Sequence, residues 1–274
     1  MIAGPPLVAA LRAWGGPLSG SPDIAWTGFH AGVNVGYAWS GAQTIGGYDP
    51  TNAIVGTGLA ALPPPNAYTL SIAGVRGFMS GGQFGYSQQI VGRLVAGLET
   101  DLQGMIGLGA KAHLSELQGF TRAPGIFYGN EIFVRKQMDF LGTTRARFGF
   151  LATPALLAYA TGGLAYGDGR LKAIIAAYQG STWVPPTLSS GSARVGWTVG
   201  GGVEWQFVRG WSAKAEYLHY DLGRATTTSV LRQYDVSGAL VSTSFSRTSA
   251  RFNGDLVRFG ANYRFAASDL PFLH

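Results

Sequence analysis

The sequence predicts an all-β protein: an eight-stranded antiparallel up-and-down transmembrane β-barrel with short periplasmic turns and four long extracellular loops. Three observations predict it. Period-two alternation of apolar and polar residues recurs in eight segments, each about as long as a tilted strand that crosses a bilayer. The connections between these segments are alternately short and long. The composition is apolar without a helical span: 46% of residues are hydrophobic and 12% charged, mean hydropathy is +0.14, and no run of about 18 apolar residues occurs. The 42 glycines, 15 Phe, 12 Tyr and 7 Trp favour sheet, since aromatics suit strands and glycine weakens helices.

In chain order, the first segment sets Phe29, Ala31, Val33, Val35, Tyr37 and Trp39 against His30, Gly32, Asn34 and Gly36. The next four fall near 77–89, 94–104, 138–150 and 156–167. The sixth, 194–207, is the clearest. Val195, Trp197, Val199, Gly201, Val203, Trp205 and Phe207 line one face; Gly196, Thr198, Gly200, Gly202, Glu204 and Gln206 line the other. The seventh covers 211–221, and the last sets Val257, Phe259, Ala261, Tyr263 and Phe265 against Arg258, Gly260, Asn262 and Arg264. Residues 90–93, 151–155 and 208–210 form short turns. The other four connections run to roughly 25 to 35 residues, rich in Ser, Thr, Gly, Pro and Asn and well beyond ordinary loop lengths. A membrane barrel sorts its loops in this way because periplasmic turns are short and extracellular loops long. A soluble sandwich has no reason to do so.

The same alternation divides two environments. The face rich in aromatics points to lipid. Phe148, Phe150, Trp205, Phe207, Trp211, Tyr263 and Phe265 are expected at one rim, and Tyr37, Trp39, Trp197 and Tyr217 at the other, as two interfacial girdles. The inward face receives Glu99, Asp101, Arg145, Arg147, Glu204, Lys214, Glu216, Arg258 and Arg264. Charges there are expected to pair across the lumen. Eight strands leave an interior that side chains just fill, so a polar core is expected and a wide aqueous channel is not.

The net charge of +6 comes from scattered Lys and Arg, without the basic stripe of a nucleic-acid binder. Cysteine is absent, which suits passage through an oxidising periplasm. The first 25 residues do not read as a complete secretory signal: an apolar stretch from Met1 to Leu11 has no basic region before it, and Arg12 follows. The expected organisation is an N-terminal extension (1–25), the remnant of a targeting or linker segment, then a barrel (26–265) and a C-terminal tail (266–274).

Several short motifs are shared with a known group. Trp26-Thr27-Gly28-Phe29, followed by Gly32, Gly36 and Tyr37, resembles the opening of the small porin-like surface proteins of alphaproteobacteria, in the outer-membrane β-barrel superfamily. Gly81-Gly82-Gln83-Phe84-Gly85-Tyr86 is similar to that family's second strand. Ala160-Thr161-Gly162-Gly163-Leu164-Ala165-Tyr166-Gly167 and Ala215-Glu216-Tyr217-Leu218-His219-Tyr220-Asp221-Leu222-Gly223 add to the likeness, as does the closing Arg258-Phe259-Gly260-Ala261-Asn262-Tyr263-Arg264-Phe265. The resemblance runs from about Trp26 to Phe265. It implies an abundant surface barrel in the outer membrane of a Gram-negative bacterium, contributing to envelope integrity; some members are implicated in haem binding. Such proteins usually end on the aromatic residue of the last strand, whereas Ala266 to His274 follow here.

The chain has four histidines that could carry chemistry, His30, His113, His219 and His274. His30 alternates into the lumen near the periplasmic rim, His113 falls in a long loop, and His274 is terminal. His219, near the outer rim beside Asp221, faces lipid, and no Ser stands at a matching position in its strand, so an interfacial role outweighs a catalytic one. The histidines are too dispersed for metal ligation. Gly200-Gly201-Gly202 and Gly81-Gly82 mimic phosphate loops but lie mid-strand, where close packing accounts for them. No catalytic residue, cofactor or metal is therefore expected. The fourth loop carries Arg224, Arg232, Arg247 and Arg251 against Asp235, and the third carries Arg170 and Lys172. Arg232, Arg247 and Arg251 are the candidate anion-binding set, since guanidinium groups fork onto phosphates. The expected partners are outer-membrane lipid, lipopolysaccharide and loop-bound proteins, with no nucleic acid. A structural surface barrel is the leading function; a narrow porin or haem-capturing receptor, and then a lipid A-modifying enzyme centred on His219, are the alternatives.

Overall fold

The computed structural model describes residues 26–48, 67–119, 127–179, 182–183, 193–234 and 240–265. The expected extension (1–25), the tail (266–274), Asp235 and His274 lie outside them. The described residues form β1 (Gly28–Trp39), β2 (Gln43–Tyr48), β3 (Ala67–Ile72), β4 (Arg76–Gln89), β5 (Leu94–Ile106), β6 (Gly109–Gly119) and β7 (Phe127–Gln137). They continue with β8 (Phe140–Thr153), β9 (Leu156–Gly167), β10 (Arg170–Gln179), β11 (Thr182–Trp183), β12 (Arg194–Val208), β13 (Trp211–Tyr234) and β14 (Leu240–Arg264).

Eight strands close the barrel in the order β1-β4-β5-β8-β9-β12-β13-β14, every pair antiparallel, and β14 returns to β1 with His30 opposite Arg264 and Trp39 opposite Asp255. A closed ring pairs every backbone group that would otherwise meet lipid. The alternating residues explain why these segments settle as a wall: Val33, Phe78, Leu98, Leu102, Val195 and Phe259 are exposed on the outside, while Asn34, Gln83, Glu99 and Thr198 are buried within. Gly92 and Gly210, at φ +56° and +76°, turn the tight connections between β4 and β5 and between β12 and β13; a residue with a Cβ adopts that geometry only with strain.

Where they are described, the long connections are built largely of strand, because the alternation carries on past the barrel: Ile132, Val134 and Lys136 of β7 are buried while Phe133 and Arg135 are exposed. β6, β7, β10 and β11 form a second sheet in the order β11-β10-β7-β6. His113 therefore stands on a strand, its ring stacked on Phe133 with centroids 4.2 Å apart. β2 pairs with β3 and with β14, and β13 and β14 stay paired from Trp211 and Tyr263 out to Tyr234 and Leu240. A bulge between Asp221 and Arg224 marks where this hairpin leaves the barrel. β10 packs on β13, and β3 on β6. A core of Ile45, Leu70, Ile72, Ile132, Val134, Leu171, Ala173 and Phe252 fills the space between them.

Candidate functional site

The interior of the barrel is layered. At the periplasmic end, Trp26, Val95, Leu151, Leu157 and Tyr159 form an apolar cluster. Trp26 lies just before β1 and is fixed there: its Nε1 donates to the Pro154 carbonyl at 2.8 Å, and the Arg264 guanidinium sits 5.2 Å from its ring centroid and donates to its carbonyl.

Above this cap the structure brings together all nine charged residues assigned to the lumen. Glu99 is the hub. It meets Arg145 at 2.7 Å, Lys214 at 2.7 Å, Arg147 at 3.1 Å and Arg258 at 3.5 Å. Arg145 also reaches Asp101 at 2.8 Å and Glu216 at 2.9 Å. Arg258 donates to Asp101 at 2.9 Å, and its Nε to Glu216 at 2.6 Å. Arg147 bridges to Glu204 at 2.6 Å and stacks 3.9 Å over the Tyr159 ring. Arg264 completes the set 3.8 Å from Glu204. Polar neighbours tie in further: His30 lies 3.4 Å from Glu99, and Ser212 donates to Glu204 at 2.6 Å. Five cations thus face four carboxylates, and Arg145 Nε, Arg147 Nε and Arg258 Nη1 find no acceptor.

Towards the outer end the lining turns apolar again, with Ala38, Met79, Met105, Leu141, Ala165, Leu218, Tyr220 and Leu256 all buried. The expected polar core thus occupies the middle level of the lumen, with apolar levels on either side of it. Alternation assigns a side chain to the inside, but a sealed interior excludes water at both ends, so apolar residues fill those levels as well. Arg145, Arg258, Leu141, Leu218 and Leu256 are each 0% exposed.

The expected girdle residues lie on the outer surface at two rims. Trp205 packs on Phe207, Trp211 on Tyr263, and Tyr263 on Phe265 near the short turns, where the guanidinium of Arg93 also sits 6.0 Å from the Phe150 ring. Phe148 is exposed on the same strand as Phe150. At the other rim Tyr37 packs on Trp39 and Phe78, and Trp197 leans on His219. There His219 Nδ1 and the Tyr217 hydroxyl converge on one oxygen of Asp255, at 2.8 and 2.7 Å. The expected neighbour, Asp221, instead bonds Arg251 and the Gly223 amide beside the bulge. Among the described residues, no three His, Asp or Glu gather as a metal set.

Sequence reasoning missed the extracellular half of the structure. Lys136 is buried there; its Nζ donates to the Arg251 carbonyl at 2.7 Å and lies 4.8 Å from the Phe252 ring centroid. Burial pushes its pKa down to about 8. Arg170 is neutralised by Asp139 and Asp168 at 2.8 and 2.9 Å. In the candidate anion set, Arg247 is exposed and Arg251 is engaged by Asp221. Arg232 pairs through its backbone with Thr243, and its side chain lies outside the described residues. Lys111, Arg135 and Lys172 stand exposed in one register row across β6, β7 and β10. The period-two pattern of Ala110-Lys111-Ala112-His113 was the available signal.

A closed ring of eight strands with an apolar exterior, aromatic belts and a packed, charge-filled interior defines a small outer-membrane β-barrel of the Gram-negative surface. No family model matches the chain. Among characterised proteins, it is 31% identical over 246 residues to the 31 kDa outer-membrane immunogenic protein of Brucella melitensis biotype 1, covering 88% of this chain and 85% of that protein. The same figures hold for the protein of that name from Brucella suis biovar 1. The chain belongs to the family of this outer-membrane immunogenic protein. Among solved structures it is similar to the neisserial surface protein A, at 12% identity and TM-score 0.35, covering 87% of this chain and 98% of that one. It is also similar to OprG from Pseudomonas aeruginosa, at 10% identity and TM-score 0.43, covering 87% and 97%.

Proposed function

We propose that this surface barrel is a non-enzymatic structural protein that contributes to envelope integrity and binds lipopolysaccharide or protein partners through its extracellular strands. The observation that carries this reading is the filled interior: the ion-paired cluster around Glu99 lies between two apolar levels of buried side chains. What remains free to meet a ligand is the extracellular surface, since loops and edges on a rigid scaffold are where binding function collects. Arg247 and its neighbours Arg232 and Arg251 belong to that surface by position in the β13–β14 hairpin.

The test is a deletion strain complemented with the parent gene or with a His219→Ala variant. Both are expected to restore resistance to detergents and large antibiotics equally and to leave the lipid A profile unchanged, and the purified barrel is expected to conduct no steady current in a planar bilayer. A stable open-channel conductance would replace this reading with a pore. A lipid A change that depends on His219 would replace it with an enzyme.

A further inference from the structure

The outer wall of the barrel continues without interruption into the outer face of the second sheet. β5 ends on the lipid-facing Ile106, which is 72% exposed, and the chain passes through Gly107 and Leu108 into β6. β7 leads through Met138 and Asp139 into β8, and β10 follows β9 after two residues. The inner faces of these strands, with Ile132, Val134 and Leu171, are buried in the shared core. Their outer faces therefore look sideways, over the surrounding membrane.

On that outward face Lys111 is paired in register with Arg135, and Arg135 with Lys172. All three are exposed. At about 3.3 Å per residue, the row stands roughly 10–15 Å beyond Ile106, just outside the hydrocarbon. Three neighbouring cations repel one another unless an anion joins them. Two carboxylates near the foot of the row, Asp139 and Asp168, are already taken by Arg170, and Asp168 also accepts the backbone amides of Asp139 and Phe140.

Below the row the wall is continuous but stepped, with the Met105 amide donating to the Asp139 carbonyl at 2.7 Å and the Met138 amide to the Leu108 carbonyl at 3.1 Å. β5 and β8 pair as far as Gly104 and Phe140, while β6 and β7 resume at Gly109 and Gln137 in a shifted register. Gly107, at φ +82°, makes the turn between them. The result is a shallow cleft of about 520 Å³ whose polar lining is Lys111, Arg135, Gln137 and Asp139, the Asp139 carboxylate being held by Arg170 at 2.8 Å. Such a cleft admits a phosphate group together with part of a sugar, with two cations on its border and a third beside it.

We propose that this cleft binds a phosphate of lipopolysaccharide in the protein's own outer leaflet, through Lys111, Arg135 and Lys172. The site rests on the reading above that the extracellular part binds lipopolysaccharide, and gives that binding a place. Position argues for this ligand: the cations face the leaflet laterally, at the depth of its charged headgroups, on the flank of the barrel and away from its tip. Arg135 can donate a forked pair of hydrogen bonds to phosphate oxygens, and the two lysines add point charges on either side.

The experiment compares the full-length refolded barrel with a Lys111→Gln/Arg135→Gln/Lys172→Gln variant in detergent. Each is titrated with fluorescent lipopolysaccharide in its native and enzymatically dephosphorylated forms. Heat-modifiable migration verifies that the variant is folded. The variant is expected to bind native lipopolysaccharide about tenfold more weakly at low salt, with the difference shrinking as salt rises. Dephosphorylation should weaken the parent to a similar degree and leave the variant nearly unchanged. If the parent binds and the variant binds equally well, or if the two lose affinity for both forms alike, this site is wrong while the broader reading stands. If the parent itself retains no lipopolysaccharide, that reading fails and takes the site with it. A parent that captures a soluble sulfated polysaccharide but not lipopolysaccharide would likewise overturn the assignment.

Discussion

Neutralising Glu99 should do more damage than neutralising any single cation around it. Glu99 is fully enclosed and lies within 3.5 Å of Arg145, Arg147, Lys214 and Arg258. At an effective dielectric of about 20, a charge pair at the 2.7 Å of the Lys214 contact is worth about 6 kcal/mol before desolvation. The desolvation that Glu99 no longer suffers as a neutral amide offsets part of this. What is left is the penalty of breaking a buried pair, roughly 3–5 kcal/mol. The cluster already holds more cations than carboxylates, with three guanidinium nitrogens lacking acceptors, so Glu99→Gln widens an existing imbalance. Lys214→Met narrows it, and should cost less. The double variant Glu99→Gln/Lys214→Met removes both members of the pair and should recover about 1–3 kcal/mol of the summed single losses. Guanidinium unfolding of the lipid-reconstituted barrel, followed by tryptophan fluorescence, gives the cycle. Strictly additive losses, or a Lys214→Met variant less stable than Glu99→Gln, would refute the picture of one electrostatically coupled cluster.

Three further outcomes are expected. Lys136 has its pKa lowered to about 8 by burial: below that pH both folded and unfolded states carry the charge and the burial penalty is fully present, so stability should rise with pH between about 8 and 10.5, by on the order of 3 kcal/mol. Lys136→Met should be more stable than the parent at pH 7 and lose this rise, and a parent-minus-variant difference that stays flat from pH 7 to 11 would show the lysine to be solvated. Gly200→Ala should lower the temperature at which the compact gel band is lost, because its Cβ would clash with the Tyr217 carbonyl oxygen, an overpacking of about 1–3 kcal/mol; Gly82→Ala, whose nearest contact is at 3.8 Å, should migrate as the parent. Trp26→Ala should cost about 3–5 kcal/mol while leaving the strand signal of circular dichroism intact, and a stability equal to the parent's would mean that the periplasmic cap contributes nothing.

Strands were legible where the two faces differ most in polarity. In β12 valine and tryptophan alternate with glycine, threonine and glutamate, and both the span and the inward side could be read directly. The nine charges were legible for the same reason: a charge alternating with lipid-facing residues has nowhere to go but inside. In Tyr217-Leu218-His219-Tyr220 both faces are amphipathic or apolar, so the pattern gives no hint that Leu218 and Tyr220 build an inner apolar layer. Register was out of reach altogether. His219 stands beside Asp221 in the chain, but its partner, Asp255, lies directly across the hairpin, and only strand pairing identifies it. The row of Lys111, Arg135 and Lys172 was hidden likewise, since its members come from three strands brought level by hydrogen bonding.

The apolar level at the outer end has a mechanical consequence. Leu218, Tyr220 and Leu256 of the barrel belong to the same cluster as Ile132, Leu171 and Phe252 of the extracellular strands, so one core passes through the membrane boundary. An extracellular hairpin joined to the wall only by its two chain ends would swing, and any ligand would have to bear the loss of that freedom on binding. A hairpin seated on a shared core has already lost it, which favours affinity through preorganisation. The lumen's charge cluster fixes the wall in one arrangement, and the wall in turn holds β6, β7 and β10 at a set height above the lipid. Cutting that link, for instance with Phe252→Ala, should therefore weaken binding to the extracellular face even though Phe252 is buried, and should do so through a faster off-rate as the strands loosen. An unchanged off-rate with a destabilised extracellular sheet would show that the surface recognises its ligand without needing to be held rigid.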